Sequence, residues 1–202
     1  MNLPNKLTLL RCLLTPIFLA CLVIDFPFHY GAALVMFILA SLTDWLDGMI
    51  ARKRGLITNL GKFLDPLADK ALTTAAFIGF VHLLPSQTIP WALFIILIRE
   101  FAVMSVRLLA AKGGEVVAAS FAGKLKTVMQ MVSIIYMLAF RQAIRIKVVA
   151  VFLTSFTWLG IDGRQWGSYF GQGLIWIAVI ATVVSGIQYI WQLRHYFKED
   201  KA

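Results

Sequence analysis

The chain has 202 residues, 60% of them hydrophobic and only 14% charged, with 19 Lys and Arg against 10 Asp and Glu for a formal charge of +9. Soluble domains run nearer 45–50% apolar and about 25% charged, so a soluble globular domain and a disordered chain are both excluded. Six bilayer-spanning helices of about 20 apolar residues each take roughly 120 positions and leave short connections. Residues 1–202 therefore read as one all-α integral membrane domain.

In chain order, Met1–Lys6 reads as a short interfacial segment, with no small-residue cleavage site after it. Six apolar runs follow: Leu7–Phe28, Tyr30–Ala51, Pro66–Leu84, Ile89–Ala111, Gly123–Phe140 and Gly173–Leu193. Turn residues separate them: Asp25-Phe26-Pro27, Lys53-Arg54-Gly55, Pro85-Ser86 and Gly113-Gly114. The expectation is a six-transmembrane-helix bundle. Cys12 and Cys21 both fall in the first run, so no disulfide framework is implied.

Basic residues gather in the second-to-third connection (Arg52, Lys53, Arg54, Lys62), the fourth-to-fifth (Lys112, Lys124, Lys126) and the tail (Arg194, Lys198, Lys201). The third-to-fourth connection carries no formal charge. By the positive-inside rule the basic ends and both termini face the cytoplasm. This placement suits an anionic lipid surface and argues against nucleic acid as the partner. Arg141–Tyr169 is an extra outer segment. Its apolar run Val148–Ile161 is shorter than a span needs and reads as an interfacial or re-entrant helix, with a seventh span as the alternative.

Chemistry concentrates in four carboxylates. Asp44, Asp47, Gly48, Ala51 and Arg52 stand at i, i+3, i+4, i+7 and i+8, one stripe of a helix. Gly61, Asp65 and Asp69 form a second stripe at i, i+4 and i+8. The basic turn Lys53–Leu60 reverses the chain and lets the stripes face each other. Ionisable groups at the ends of apolar helices mark function by default, although any single aspartate could be an ordinary helix-end partner of Arg52, Arg54 or Lys62. Four converging carboxylates repel unless a cation joins them. With no His or Cys among them, the donor set suits Mg²⁺, Mn²⁺ or Ca²⁺ rather than zinc. Four ligands suffice for two metals, an arrangement fitted to phosphoryl transfer. Gly48, Ala51 and Gly61 leave backbone open to a close ligand, or serve as helix-packing positions.

The whole pattern, Asp44-x2-Asp47-Gly48-x2-Ala51-Arg52-x8-Gly61-x3-Asp65-x3-Asp69, resembles the signature of the CDP-alcohol phosphatidyltransferase family at every fixed position. The stretches Asn2–Arg11, Gly61–Lys70, Arg99-Glu100 with Arg107, and Gly123–Thr127 look like the branch of that family that makes phosphatidylglycerophosphate. The resemblance implies transfer of the phosphatidyl group of CDP-diacylglycerol to glycerol 3-phosphate, with release of CMP. It implies Asp44, Asp47, Asp65 and Asp69 as ligands of two Mg²⁺ or Mn²⁺ ions, and Asp69 also as general base. It implies Gly48, Ala51, Arg52 and Gly61 as contacts of the cytidine and its phosphate. It further implies a homodimer in a bacterial inner membrane, with the site at the cytoplasmic face.

Two sets of cations stay open between roles. Arg11, on one stripe with Thr8, either reaches the donor pyrophosphate or snorkels to lipid phosphate. Arg99 and Arg107, on one stripe with Val103, together with Lys124 and Lys126, suit the acceptor's phosphate. Lys124 and Lys126 equally suit plain positive-inside anchoring, and Arg99 could simply pair with Glu100. An inositol-phosphate or serine acceptor is the nearest alternative function. A prenyltransferase that binds pyrophosphate lacks its Asp-Asp pair here, and a cation transporter lacks a polar path across the second and third runs.

Overall fold

The structure, a computed structural model, describes residues 3–54, 59–84, 88–112, 120–158 and 160–194. The side chains of residues 3–5, 45–48, 50–54, 59–67, 69, 109, 111 and 112 lie outside that description. The described chain is all-α apart from one minimal hairpin. Helices α1 (Leu3–Val23), α2 (His29–Arg54), α3 (Asn59–Leu83), α4 (Ile89–Lys112) and α5 (Phe121–Ala143) precede a short α6 (Lys147–Ser155). Strands β1 (Thr157–Trp158) and β2 (Ile161–Asp162) follow, and α7 (Gly163–Gln192) ends the series.

The helices bury polar and small residues together with apolar ones, and expose many large apolar side chains, unlike a soluble bundle. On α1 the buried stripe is Thr8, Arg11, Thr15, Phe18 and Leu22, spaced 3, 4, 3 and 4. Leu9, Leu10, Leu13 and Ile17 on the same helix are exposed. Such an outer surface is stable only where the solvent is itself apolar, so this is a membrane protein. Among the described residues, three stretches are long and apolar enough to cross a bilayer: Lys6–Val23, Ile89–Leu108 and Gly163–Gln192. Helices α2 and α3 contribute shorter apolar stretches, His29–Asp44 and Lys70–Leu83.

The chain divides into two compact units. The first comprises residues 1–86 and 134–169, the second residues 87–133 and 170–202. In the first unit α1 packs along both α2 and α3. Phe18 of α1 meets Phe37 of α2 with ring centroids 5.8 Å apart. Small residues, Ala33 and Ala40 on α2 and Ala68, Ala75 and Ala76 on α3, are buried and let helices approach closely. Arg141 donates to the carbonyl of Leu83 at 2.9 Å, capping the end of α3.

Gly167, early in α7, packs against α5. A Cβ there would lie 2.1 Å from the Phe140 ring. Tyr136, stacked on Phe140, donates its hydroxyl to the Gly167 carbonyl at 3.0 Å. The turn between α1 and α2 is closed by charge. Arg145 donates to Asp25 at 2.7 Å and lies over the Tyr30 ring. The hydrogen bond from Arg145 holds the Asp25 carboxyl below its ordinary value, and Asp25 raises Arg145 in return. Phe28 completes the turn with φ of 62°, a left-handed conformation unusual for an aromatic residue.

Several expectations need correction. The amino-terminal segment is continuous with the first helix: α1 starts at Leu3, because Pro4 and the polar residues after it are compatible with a first helical turn. Helix α3 begins at Asn59 rather than Pro66, and α2 runs to Arg54. A search for apolar runs misses helical turns made of polar residues. Of the reversal expected at Lys53–Leu60, Lys53 and Arg54 belong to α2 and Asn59 and Leu60 to α3, and residues 55–58 lie outside the described residues. The outer segment 141–169 is also shorter than expected, since its ends belong to α5 and α7. Between them lie α6, which buries none of its residues, and the antiparallel pair Thr157–Asp162 and Trp158–Ile161. The hairpin is absent from an all-α expectation because two-residue strands carry no periodicity.

Candidate active site

The first unit holds the signature. On α2 the buried stripe Tyr30, Ala33, Phe37 and Ala40 has Asp44 next in its register, and Asp47 one turn further. On α3, Asp65 and Asp69 are one turn apart and flank buried Ala68. Both pairs thus extend helix stripes that pack the unit. The side chains of Asp47, Gly48, Ala51, Arg52, Gly61, Asp65 and Asp69 lie outside the described residues, although all seven positions are helical.

Asp44 is described. Arg11 donates from NH1 to Asp44 Oδ1. The two ends of this pair differ: the Arg11 side chain is 1% exposed and that of Asp44 47%. Burial rules out the lipid-facing role for Arg11, since a snorkelling guanidinium would be solvated. Thr15 donates to the Arg11 carbonyl at 2.9 Å, and Thr8 is buried one turn before it. A fully buried guanidinium is costly without an anionic partner, so α1 and α2 are tied at the signature by charge. The half-exposed Asp44 carboxylate stays accessible while Arg11 orients it. That accessibility, with a donor set of carboxylate oxygens alone, fits a hard divalent cation. Among the residues whose side chains are described, no three His, Cys, Asp or Glu groups come together.

The second unit holds the other predicted cations. Along α4, Arg99 and Val103 are buried and Arg107 is exposed. On α5, Lys126 is buried and Lys124 exposed. Arg99 and Lys126 converge on one carboxylate, that of Glu100: Arg99 NH1 donates to its Oε1 at 3.1 Å, and Lys126 Nζ donates to the same oxygen. Arg99 NH2 also donates to Ser185 Oγ on α7 at 2.6 Å. Arg99 and Lys126 are therefore brought together, while Arg107 and Lys124 are exposed on the same two helices. Sequence reasoning placed Arg99-Glu100 in a stretch resembling the acceptor side and allowed the two to pair, but did not name Glu100 as a site residue. The signal was present in the i to i+1 Arg99-Glu100 pair on an otherwise apolar helix, where two adjacent ionisable residues are expensive.

An all-α membrane fold with Arg11, Arg99, Glu100 and Lys126 buried among its helices, and with the aspartate signature carried on two of those helices, is that of a membrane-embedded transferase of activated phospholipids. The chain belongs to the CDP-alcohol phosphatidyltransferase family, whose model matches residues 1–184. It is 41% identical to the CDP-diacylglycerol–glycerol-3-phosphate 3-phosphatidyltransferase of Bacillus subtilis, with 93% of each chain covered. Proteins of the same name from Rickettsia bellii and Salmonella paratyphi A are 33% and 30% identical. They cover 97% and 94% of this chain, and 97% and 93% of their own lengths.

Proposed function

We propose that this protein transfers the phosphatidyl group of CDP-diacylglycerol to glycerol 3-phosphate, giving phosphatidylglycerophosphate and CMP. The observation that carries the reading is the buried Arg11 holding Asp44 at the head of the signature, in a chain whose relatives bear the name of that activity. Asp44, Asp47, Asp65 and Asp69 are the residues to hold two Mg²⁺ or Mn²⁺ ions, which when bound supply charge neutralisation for the donor pyrophosphate. Gly48, Ala51, Arg52 and Gly61 hold the cytidylate, and Thr8 and Arg11 complete the donor-binding set. Asp69 takes the proton of the acceptor hydroxyl. The hydroxyl oxygen bonds to the lipid-bearing phosphorus, the bond from that phosphorus to the bridging oxygen breaks, and CMP leaves with the oxygen. Arg99, Arg107, Lys124 and Lys126 supply the positive charge that a phosphate-bearing acceptor requires.

The same reading takes residues 1–202 as one domain, since α5 and α7 each contribute to both units. It takes six helices as spanning a bacterial inner membrane, with the basic connections and the site at the cytoplasmic face, and a homodimer as the assembly. The test is competition among acceptors in proteoliposomes loaded with CDP-diacylglycerol. Glycerol 3-phosphate is expected to give product at concentrations where serine and inositol phosphate give none. EDTA should abolish transfer, with Mg²⁺ or Mn²⁺ restoring it. Preference for serine or inositol phosphate overturns the acceptor assignment, and full turnover in EDTA overturns the metal ligands.

A further inference from the structure

Helix α6 carries an apolar stripe on its outside. Val148, Val151 and Phe152 stand at i, i+3 and i+4, one face of the helix, and Val148 is 80% and Phe152 69% exposed. None of the nine residues of α6 is buried. Phe156 and Trp158, which follow it, are exposed as well. The segment is nonetheless held in place. Gly163 closes against it, since a Cβ there would lie 2.8 Å from the Leu153 carbonyl oxygen, and the Gly163 amide donates to the Phe156 carbonyl at 2.9 Å. Arg145, just before α6, is fastened to Asp25 in the turn that leads into α2. That pair puts α6 at the end of α2 remote from Asp44 and Asp47. A fixed, exposed apolar face marks a contact surface.

We propose that α6 lies along the headgroup layer of the leaflet opposite the aspartate signature, with Val148, Val151 and Phe152 in the acyl chains, and that the segment favours anionic phospholipids there. Continuity with the membrane is the first support. Helix α7 follows the hairpin directly, and its 30 residues rise about 45 Å, more than a hydrocarbon core of about 30 Å. Its polar first turn, Gly163 to Trp166, has room to stand outside that core. Charge is the second support. Arg141–Tyr169 holds Arg141, Arg145, Lys147 and Arg164 against Asp162 alone, which complements an anionic surface. Lys147 stands in the first turn of α6, where the helix dipole disfavours a cation, so nothing within the helix accounts for it. The third support is aromatic. Trp158 and Trp166 lie with ring centroids 5.4 Å apart, and the Trp166 indole donates to the Trp158 carbonyl at 3.2 Å; paired indoles of this kind belong at headgroup depth. A second copy of the chain is a poorer occupant. The exposed face of α6 is about 13 Å long and 10 Å wide, a fraction of the roughly 800 Å² per partner that a stable protein interface takes.

The experiment places one environment-sensitive fluorophore on the full chain carrying Cys12→Ser and Cys21→Ser. It is attached to Phe152→Cys, to Val148→Cys on the same stripe, and to Ile177→Cys, exposed within the crossing stretch of α7. The labelled chains are reconstituted in vesicles of phosphatidylglycerol or of phosphatidylcholine. Quenching is measured with iodide in the water, with lipids spin-labelled high on the acyl chain, and with lipids spin-labelled near the chain end. At positions 148 and 152 the shallow lipid label is expected to quench at least about twofold more than the deep label or iodide, as for a helix sunk only to the acyl boundary. At position 177 the deep label should quench most. Val148→Cys supplies the reading if Phe152→Cys destabilises the chain. Strongest quenching of the stripe by the deep label means a re-entrant or spanning helix, and strongest quenching by iodide means a stripe in water. Protection from all three means a second copy or another protein covering it. Each of these results overturns the proposal. One basic side chain at an anionic surface is worth about fivefold in affinity. Lys147→Glu is therefore expected to raise iodide quenching at position 152 at least about twofold in phosphatidylglycerol and to leave it unchanged in phosphatidylcholine. An equal effect in the two kinds of vesicle, or none in either, overturns the preference for anionic lipid.

Discussion

At the scale of single residues, the Arg11–Asp44 pair is asymmetric, and the asymmetry predicts which end matters for stability. Arg11 is buried and Asp44 half-exposed. Removing Arg11's charge leaves a carboxylate that water can still solvate. Removing Asp44's charge takes a charged hydrogen bond away from a buried guanidinium, the costlier state. Asp44→Asn is therefore expected to lower stability by about 1.5–3 kcal/mol, the weight of one charged hydrogen bond. Arg11→Met, which keeps most of the side-chain volume, should cost less. Activity should order differently: Asp44→Asn loses transfer almost entirely, while Arg11→Met keeps turnover with a raised KM for CDP-diacylglycerol. Thermal unfolding by intrinsic tryptophan fluorescence, set beside steady-state kinetics, checks both orders. Greater thermal loss in Arg11→Met than in Asp44→Asn would show that Arg11 acts mainly by packing. The aspartates were legible in the sequence because both pairs keep helical spacing across an unusual density of charge. Arg11's partner was not, since 33 positions separate it from Asp44 and nothing in local periodicity encodes a contact between helices.

At the scale of elements, the helices were legible wherever apolar residues run on, and their boundaries were missed wherever polar residues continue the same helix. Helix α3 gains the turn that starts at Asn59, and α2 keeps Arg52 to Arg54. The buried faces were legible only in part. The 3-4 spacing of Thr8, Arg11, Thr15, Phe18 and Leu22 repeats as Ile175, Ala178, Thr182, Ser185 and Tyr189 on α7. In a membrane both the buried stripe and the lipid-facing surface carry apolar residues, so only the polar and small members mark the stripe and hydrophobic patterning alone does not separate core from lipid. Gly167 belongs to the same logic of close approach. Its missing Cβ makes room for Phe140, whose ring would come within 2.1 Å of one. Gly167→Ala forces the ring or the α7 backbone to move, and overpacking of this kind typically costs about 1–3 kcal/mol. Combining it with Phe140→Leu should return part of that loss, because the clash is with the far edge of the ring. The comparison is of thermal midpoints for both single variants and the double. Additive losses would mean that the two positions do not meet.

At the scale of the whole molecule, the number of crossings decides which side of the membrane the carboxyl-terminal tail occupies. Six crossings return the tail to the side of the amino terminus; a seventh, made by α6, reverses it. Helix α6 has nine residues, a rise of about 13 Å at 1.5 Å per residue, against a hydrocarbon core about 30 Å thick. The backbone leaves α6 through the β1–β2 hairpin and turns directly into α7, so no further length is added. The basic residues agree: Arg52 to Arg54, Lys124 with Lys126, and the tail lysines fall on one side only if the count is even. Impermeant thiol labelling of intact cells tests this in a chain carrying Cys12→Ser and Cys21→Ser, with single cysteines at Thr58, Ser86, Arg164 and Ala202. Ser86→Cys and Arg164→Cys are expected to label in intact cells. Thr58→Cys and Ala202→Cys should label only after permeabilisation. Labelling of Ala202→Cys in intact cells means an odd number of crossings. The carboxyl-terminal charges would then face away from the aspartate signature, which nothing in their distribution favours.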